Sequence, residues 1–418
     1  MPLIACRDCA AVQELRVPKR GRMECWQCGR VLENRAGRGL DAALACSIAT
    51  FLVLFPANIL PLMTAHAMGL SSTTRLAEGL AAAWHQGWPL VAIVLGLEGI
   101  FLPFLRFGLL SVTLAAIRLR AKDGWVGPAF RLCEILDQWA MVDVLLIGAG
   151  IGYGRIASQT PVRIDAGGWC FVCAAVMTMI TRAAMERRAV WRRIEAPDSY
   201  TGRNPIACTS CDLVLPPQAD GQRCPRCKAR VHRRRPSSVM RTTGLLVATG
   251  LLTPIAYAWP MSEFWKLGSP TPHSIIDGIM LLFLHGFWYF GVIILMVSLV
   301  FPLTKLVALT WFVTSVQSHS ASQLRQKTKL YRFIDEVGRW STLDPFTVMI
   351  FAPMIQFGQL AHFDYMGGCP AFLATVILSM LATESFDARL LWDAAQAGTQ
   401  QAAPRVSAPV PQASAHAR

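Results

Sequence analysis

The sequence predicts an all-α polytopic membrane protein built as two tandem modules. Three observations predict it: a strongly apolar composition, a cysteine pattern that occurs twice, and a set of landmarks repeated at a fixed spacing. Of the 418 residues, 53% are hydrophobic and only 16% are charged. Mean hydropathy is +0.39. Soluble domains rarely have this composition, and the apolar runs reach the ~20 residues that cross a bilayer as helix.

The cysteine pattern is CxxC followed by CxxC. Cys6 and Cys9 precede Cys25 and Cys28 by fifteen residues; Cys208 and Cys211 precede Cys224 and Cys227 by twelve. Four thiolates in two close pairs suit one tetrahedral Zn²⁺, so each quartet is expected to form a zinc ribbon, two ions in all. The heads span 1–35 and 203–235. Segments this short cannot bury a core, so the metal supplies their folding energy, on the order of 10–16 kcal/mol. Eight of the thirteen cysteines fall in these quartets, which favours metal over disulfides and a reducing compartment. No signal peptide is expected, because the first apolar run begins near Leu40, after a complete quartet.

Each head precedes four expected membrane helices, in modules spanning 40–193 and 241–393. The first helix runs from Leu40 to about His66, with Pro56, Asn58 and Pro61 near its far end. Prolines five apart break the hydrogen-bond ladder, so this segment should face protein or a water-filled cleft. A loop over 67–87 leads to a long helix from about Trp88 to Leu119. A basic connection with Lys122 and Arg131 precedes a helix from Trp139 to about Ile156. The fourth helix spans Gly167 to Ala184 and ends in the basic run Arg187–Arg193. The second module repeats the order: a helix over 241–260 containing Pro254 and Pro260, one over 276–316, a basic loop over 325–339, a helix opening at Trp340, and one over 369–386. Residues from about 395 are Ala/Gln/Pro/Ser-rich and expected to be disordered.

Landmarks fix the repeat. Gly87 and Gly286, and Pro103 and Pro302, are 199 apart; Trp139 and Trp340, Asp143 and Asp344, and Trp191 and Trp392 are 201 apart. A parallel tandem duplication explains them together. Lys and Arg concentrate around 118–131, 182–241 and 325–339. By the positive-inside rule both termini and both heads face the cytoplasm. The net charge of +14 is then read as attraction to anionic lipid, with no nucleic acid as partner.

Ionisable groups within apolar helices are functional candidates because burying them is costly. Arg106 and Asp143 are expected to pair near the inner leaflet, and Lys305 with Asp344 in the repeat. Such pairs either pin helices together or line a path for protons or a lipid head group. Glu98 lies deeper, opposite Val297; it snorkels, is protonated or lines a cleft. Cys170 and Cys173 have metal spacing but no second pair, and read as core thiols. No nucleophile–base set, P-loop or metalloprotease motif occurs, so no enzyme is expected.

Cys208-Thr-Ser-Cys211-Asp-Leu-Val-Leu-Pro, Pro56-Ala-Asn-Ile-Leu-Pro61, Trp139-Ala-Met-Val-Asp143 and Ser385-Phe-Asp-Ala-Arg389-Leu-Leu-Trp392 resemble the paraquat-inducible protein A family across about residues 1–395. The sequence departs at Ala256-Tyr257, at Pro345 and at Lys228, which replaces a knuckle glycine. The resemblance implies rubredoxin-like ribbons and a Gram-negative inner-membrane location. It also implies a periplasmic partner with mammalian-cell-entry (MCE) domains that forms a tunnel, and phospholipid transport supporting envelope integrity. The broken helices at Pro56, Asn58, Pro61, Pro254 and Pro260 would form a lipid cleft. The alternatives are a proton-coupled ion or small-solute transporter and a zinc- or redox-sensing membrane anchor.

Overall fold

Apolar runs set the helices of this chain, and prolines, glycines and polar stretches set where they stop. The computed structural model describes residues 3–14, 21–35, 40–67, 70–120, 124–157, 161–194, 197, 199–202, 204–266, 269–284, 286, 288–354 and 361–402.

The first head is two antiparallel hairpins, β1 (Leu3–Ala5) with β2 (Val12–Glu14) and β3 (Gly21–Glu24) with β4 (Val31–Arg35). Module 1 follows as α1 (Leu40–Ile59), β5 (Met63–Ala67), β6 (Leu70–Thr74), α2 (Leu76–His85), α3 (Pro89–Gly96), a π-turn over Leu97–Phe101, α4 (Leu102–Arg118), α5 (Val126–Trp139), α6 (Val142–Ala157), β7 (Val162–Ile164), α7 (Ala166–Ala184) and α8 (Arg187–Arg193). The second head contributes β8 (Ile206–Ala207) and β9 (Val214–Leu215). Module 2 is α9 (Ser238–Ala258), β10 (Ser262–Lys266), β11 (Ser269–His273), α10 (Ile275–Leu284), α11 (Trp288–Ile294), a π-turn over Leu295–Val300, α12 (Phe301–Gln317), α13 (Leu324–Val337), a 3₁₀ turn over Gly338–Thr342, α14 (Leu343–Met354), β12 (Ala361–Tyr365), α15 (Gly368–Ser385) and α16 (Arg389–Ala402).

Among the described residues, seven helical stretches are long and apolar enough to cross a membrane: α1, α3 through α4, α5 into α6, α7, α9, α11 through α12, and α15. The chain is therefore a multi-pass membrane protein. The remaining helix expected from the repeat is present as α14, with 12 described residues; residues 355–360 lie outside the described residues.

Several expected boundaries move. The first helix stops at Ile59 rather than His66, and α9 stops at Ala258. Pro56 and Pro254 lie inside their helices, but Pro61 and Pro260 lie just beyond the ends, where a missing N–H and fixed φ prevent continuation. The expected loop at 67–87 holds part of a β-hairpin and α2. The expected helix over 276–316 is two, α10 and then α11 through α12, parted by a turn at Gly286 with φ +82°. Both basic connections contain helices, α5 and α13. The tail does not begin at 395: α16 runs to Ala402, and 403–418 lie outside the described residues.

The strands at the far end were not anticipated. Each module carries a three-stranded antiparallel sheet, ordered β6-β5-β7 and β11-β10-β12. Each sheet joins the ends of α1 or α9 to the start of α7 or α15. A repeated corner holds this junction. The Gly167 N–H donates to the Pro61 carbonyl at 3.0 Å, and the Gly368 N–H to the Pro260 carbonyl at 3.0 Å. A Cβ at Gly167 would stand 2.5 Å from the Leu60 carbonyl oxygen, and one at Gly368 2.6 Å from those of Trp259 and Pro260. Only glycine permits that approach.

The two modules share one core. α6 packs on its counterpart α14, where Gly148 brings its backbone against the Thr347 amide, and Thr342 donates to the Met141 sulfur at 2.9 Å. Farther out, the Gln86 side chain bonds to both the Phe363 carbonyl and the Tyr365 amide at 2.8 Å.

The heads are exchanged between modules. Cys208, Cys211, Cys224 and Cys227 share a core with Leu114, Phe130 and Trp191 of module 1. Cys6, Cys9, Cys25 and Cys28 share one with Leu309, Phe312 and Trp392 of module 2. The sequence order, head then four helices, is not the spatial unit.

Candidate functional site

Each quartet is built by paired knuckles. After Cys9 and Cys28 the chain turns through Ala10 and Gly29 at φ +60° and +68°; after Cys211 and Cys227 it turns through Asp212 and Lys228 at +59° and +56°. Lys228 thus holds the conformation that a knuckle glycine would adopt. The Ala10, Gly29, Asp212 and Lys228 amides donate back to the carbonyls of Cys6, Cys25, Cys208 and Cys224.

All eight ligand cysteines are buried, and within each quartet the sulfurs lie within 4.8 Å of one another. The sulfurs of Cys6 and Cys28, Cys9 and Cys25, Cys208 and Cys227, and Cys211 and Cys224 are 3.5 Å apart. A tetrahedron with Zn–S bonds of 2.3 Å has edges of about 3.8 Å, so both quartets fit one four-coordinate metal each. With all four positions filled by protein, such a site is structural.

Arginines clamp the knuckles from the opposite module. Arg332 of α13 donates to Asp8 at 2.6 Å and to the Cys28 carbonyl and sulfur at 3.1 Å each. Arg187 and Arg188 of α8 pair with Asp212, which Arg7 of the first head also binds at 2.6 Å. The two heads and module 1 therefore meet at one carboxylate.

The buried charges pair differently from the sequence expectation. Arg106 is not paired with Asp143: it forms an ion pair with Asp137 of α5. Asp143 accepts from Nη1 of Arg182 at 2.5 Å, and Nε of Arg182 reaches Asp137 at 2.9 Å. Arg182 also donates to the carbonyls of Asp137 and Ala140, at 3.2 and 3.4 Å, where the chain breaks between α5 and α6. Because the basic connection is itself helical, α5 carries Asp137 to the level of Arg106. Sequence reading missed Asp137 and Arg182; the signal available was a lone arginine inside the last turns of an apolar run.

In module 2, Lys305 is buried, 3.2 Å from Ser379 Oγ and 3.4 Å from the Gly338 carbonyl. Asp344 stands in the first turn of α14, and its side chain lies outside the described residues, as does the expected Lys305–Asp344 pair. Gly338 and Thr383 occupy the repeat positions of Asp137 and Arg182, at the offset of 201. The hydrogen-bond partners of Lys305 among the described residues are thus neutral, where module 1 carries a four-membered charge network. Lys305 and that network face one cavity of about 280 Å³ at the head end, lined by Asp137, Glu134, Lys305, Asp335, Glu336 and Glu384. Burial, and next the neighbouring Glu336, push the Asp335 carboxyl above its ordinary range.

Glu98 lies in the first π-turn and is 2% exposed, and its Oε2 has no hydrogen-bond partner among the described residues. A π-turn inside a helix frees a carbonyl and often marks a functional position. The second π-turn holds Ser298, whose carbonyl accepts from the Tyr257 hydroxyl at 2.5 Å. Asn58, at the repeat position of Tyr257, donates to the Leu54 carbonyl at 2.7 Å and leaves its Oδ1 unpartnered among the described residues.

Two buried cysteine quartets above a duplicated helical bundle with internal charges define a polytopic membrane protein whose two heads could each hold a metal ion. The profile of the family described as "Paraquat-inducible protein A" matches residues 40–195 and 239–396, and the chain belongs to that family. It is similar to "Intermembrane transport protein PqiA" of Escherichia coli (strain K12), 24% identical over 413 residues, covering 93% of this chain and 95% of that protein. It is 28% identical over 273 residues to "Lipophilic envelope-spanning tunnel protein A" of the same strain, covering 65% of this chain and 64% of that one. A "Probable intermembrane transport protein" of Haemophilus influenzae is 23% identical over 407 residues, with 93% and 95% covered. No solved structure matches.

Proposed function

We propose that this chain is the inner-membrane component of an MCE-type lipid transport system. It would load phospholipid into, or receive it from, a periplasmic tunnel made by an MCE-domain partner, and so support envelope integrity. The reading is carried by similarity over 93% of the chain to a protein named for intermembrane transport. The multi-pass fold supports it. Zinc in each quartet fastens the cytoplasmic heads to the helices, with both termini on that side. The segments around Pro56, Asn58, Pro61, Pro254 and Pro260 are the proposed lipid-handling region, and transport rather than catalysis is the role.

A second reading, coupling of transport to proton or ion movement, is favoured by Lys305 facing the head-end cavity and by the unpartnered carboxyl oxygen of Glu98.

The test is transfer of labelled phospholipid from proteoliposomes holding the full chain to a purified MCE-domain protein. Transfer above protein-free liposomes is expected. Background transfer, with movement of a small ion or solute instead, would replace the first reading by the second.

A further inference from the structure

The two modules differ at the end away from the heads. α2 and α10 are repeat counterparts, since Gly79 and Gly278 share the offset of 199. In α2 the outward positions Ala77 and Ala81 are small. Its Gly79 is pressed against module 2, where a Cβ would stand 2.0 Å from the Met349 carbonyl oxygen. α10 instead carries two apolar stripes. Ile275, Ile279 and Leu282 are buried in the shared core. Ile276, Met280 and Leu284 recur four residues apart on the outward side and are 51%, 58% and 76% exposed. Four-residue spacing places them along one ridge of the helix.

We propose that this outward ridge of α10 is a lipid-docking surface, embedded among phospholipid acyl chains in the leaflet away from the cysteine heads. Continuity with the membrane-crossing surface argues for lipid as the occupant. Directly after the turn at Gly286, Trp288 and Tyr289 stack at 3.6 Å. The exposed apolar flank then continues through Val292, Ile293 and Met296 into the span. Exposed Trp and Tyr at such a junction sit at the bilayer interface. Ten residues of helix reach about 15 Å, too short to cross and suited to lying within one leaflet. Charge agrees: Asp277 is the only charged residue of α10. Its carboxylate turns back to the polar end, accepting from the Ser274 amide at 3.0 Å and hydroxyl at 2.6 Å. At the counterpart positions α2 presents Ala77, Ala81 and His85, so the apolar ridge along this short helix belongs to the second module. The proposal goes beyond the transport reading, because it requires a membrane but not lipid transfer.

The test places a photoreactive amino acid singly at Met280, at Leu284, at Ala81 of α2, and at Val307, which is exposed on the α12 span. The full chain is reconstituted in nanodiscs of phosphatidylethanolamine and phosphatidylglycerol, irradiated, and its adducts are read by mass spectrometry. Irradiation of native membranes runs in parallel. Phospholipid adducts at 280 and 284 should match Val307 and exceed Ala81 several-fold. Background labelling at 280 and 284 while Val307 labels would overturn the proposal. So would adducts to polypeptide alone in native membranes, or labelling at Ala81 equal to that at 280. Adducts at α10 with no lipid transfer in the assay above would sink the transport reading and leave this one standing.

Discussion

The guanidinium of Arg332 donates to the sulfur of Cys28 at 3.1 Å although 304 residues separate them. This bond ties the first head to the last helices of the chain. With the packing of the second head on Phe130 and Trp191, it makes each head part of the module that does not follow it in sequence.

Metal loss should therefore act crosswise. The wild-type chain should carry two zinc ions, and Cys28→Ser and Cys208→Ser one each, by elemental analysis of the purified protein. Hydrogen exchange should rise in α12, α13 and α16 for Cys28→Ser, and in α5 and α8 for Cys208→Ser. Exchange rising in the sequence-adjacent module instead would contradict the exchanged packing.

Arg182 holds two acidic groups; removing it strands Asp143, while Asp137 keeps its pair with Arg106. Arg182→Ala should destabilise the chain by about 3–5 kcal/mol, the cost of breaking a buried pair from one side. Asp143→Asn keeps a hydrogen-bonding oxygen and should cost less. Thermal unfolding in detergent, followed by Trp fluorescence, measures both.

The corner glycines are expected to be intolerant. Gly167→Ala and Gly368→Ala force a methyl against backbone carbonyls that cannot rotate away and should each cost about 1–3 kcal/mol. Gly150→Ala meets nothing within 4 Å and should leave the unfolding temperature unchanged or slightly raised.

Glu98→Gln should be neutral or stabilising in the same assay, because Oε2 of the carboxyl has no hydrogen-bond partner among the described residues and the neutral amide avoids burying a charge. Glu98→Lys should lower stability. A stable Glu98→Gln chain that has lost phospholipid transfer would assign the carboxyl to transport rather than to the fold.

Acid should loosen the base of α16. Burial opposes ionisation of Asp387, but Arg389 outweighs it through bonds of 2.8 Å to each carboxylate oxygen, aided by the Arg235 amide at 3.1 Å. The carboxyl is thereby held below its ordinary range. Its contribution to stability is present above the unfolded-state pKa and is lost as pH falls through the folded one. Asp387→Asn should flatten the acid limb of the stability profile below about pH 4.

Local chemistry was legible in the sequence; long-range placement was not. The cysteine spacing identified both quartets, and the offset of Asp143 and Asp344 identified α6 and α14 as counterparts. The partner of Arg106 was misread because the stretch before Trp139 looked like a basic loop, although Phe130, Cys133 and Leu136 share one buried helical face. The far sheets were hidden because strands such as Leu70–Thr74 are short and polar, and their pairing is set by the helix ends that they join. Nothing in the order of segments reveals which head sits under which bundle. That depends on Arg332 and Trp392 meeting surfaces hundreds of residues away, and on Arg187 reaching Asp212 across the link between module 1 and the second head.

The exchange of heads has a consequence for biosynthesis. The N-terminal quartet leaves the ribosome first, yet its seat, made by Leu309, Phe312, Ile334 and Trp392, is translated last. Through nearly the whole of elongation that finger lacks its seat, while its sibling docks onto helices already made. A chain released before Trp392 would carry its first head undocked.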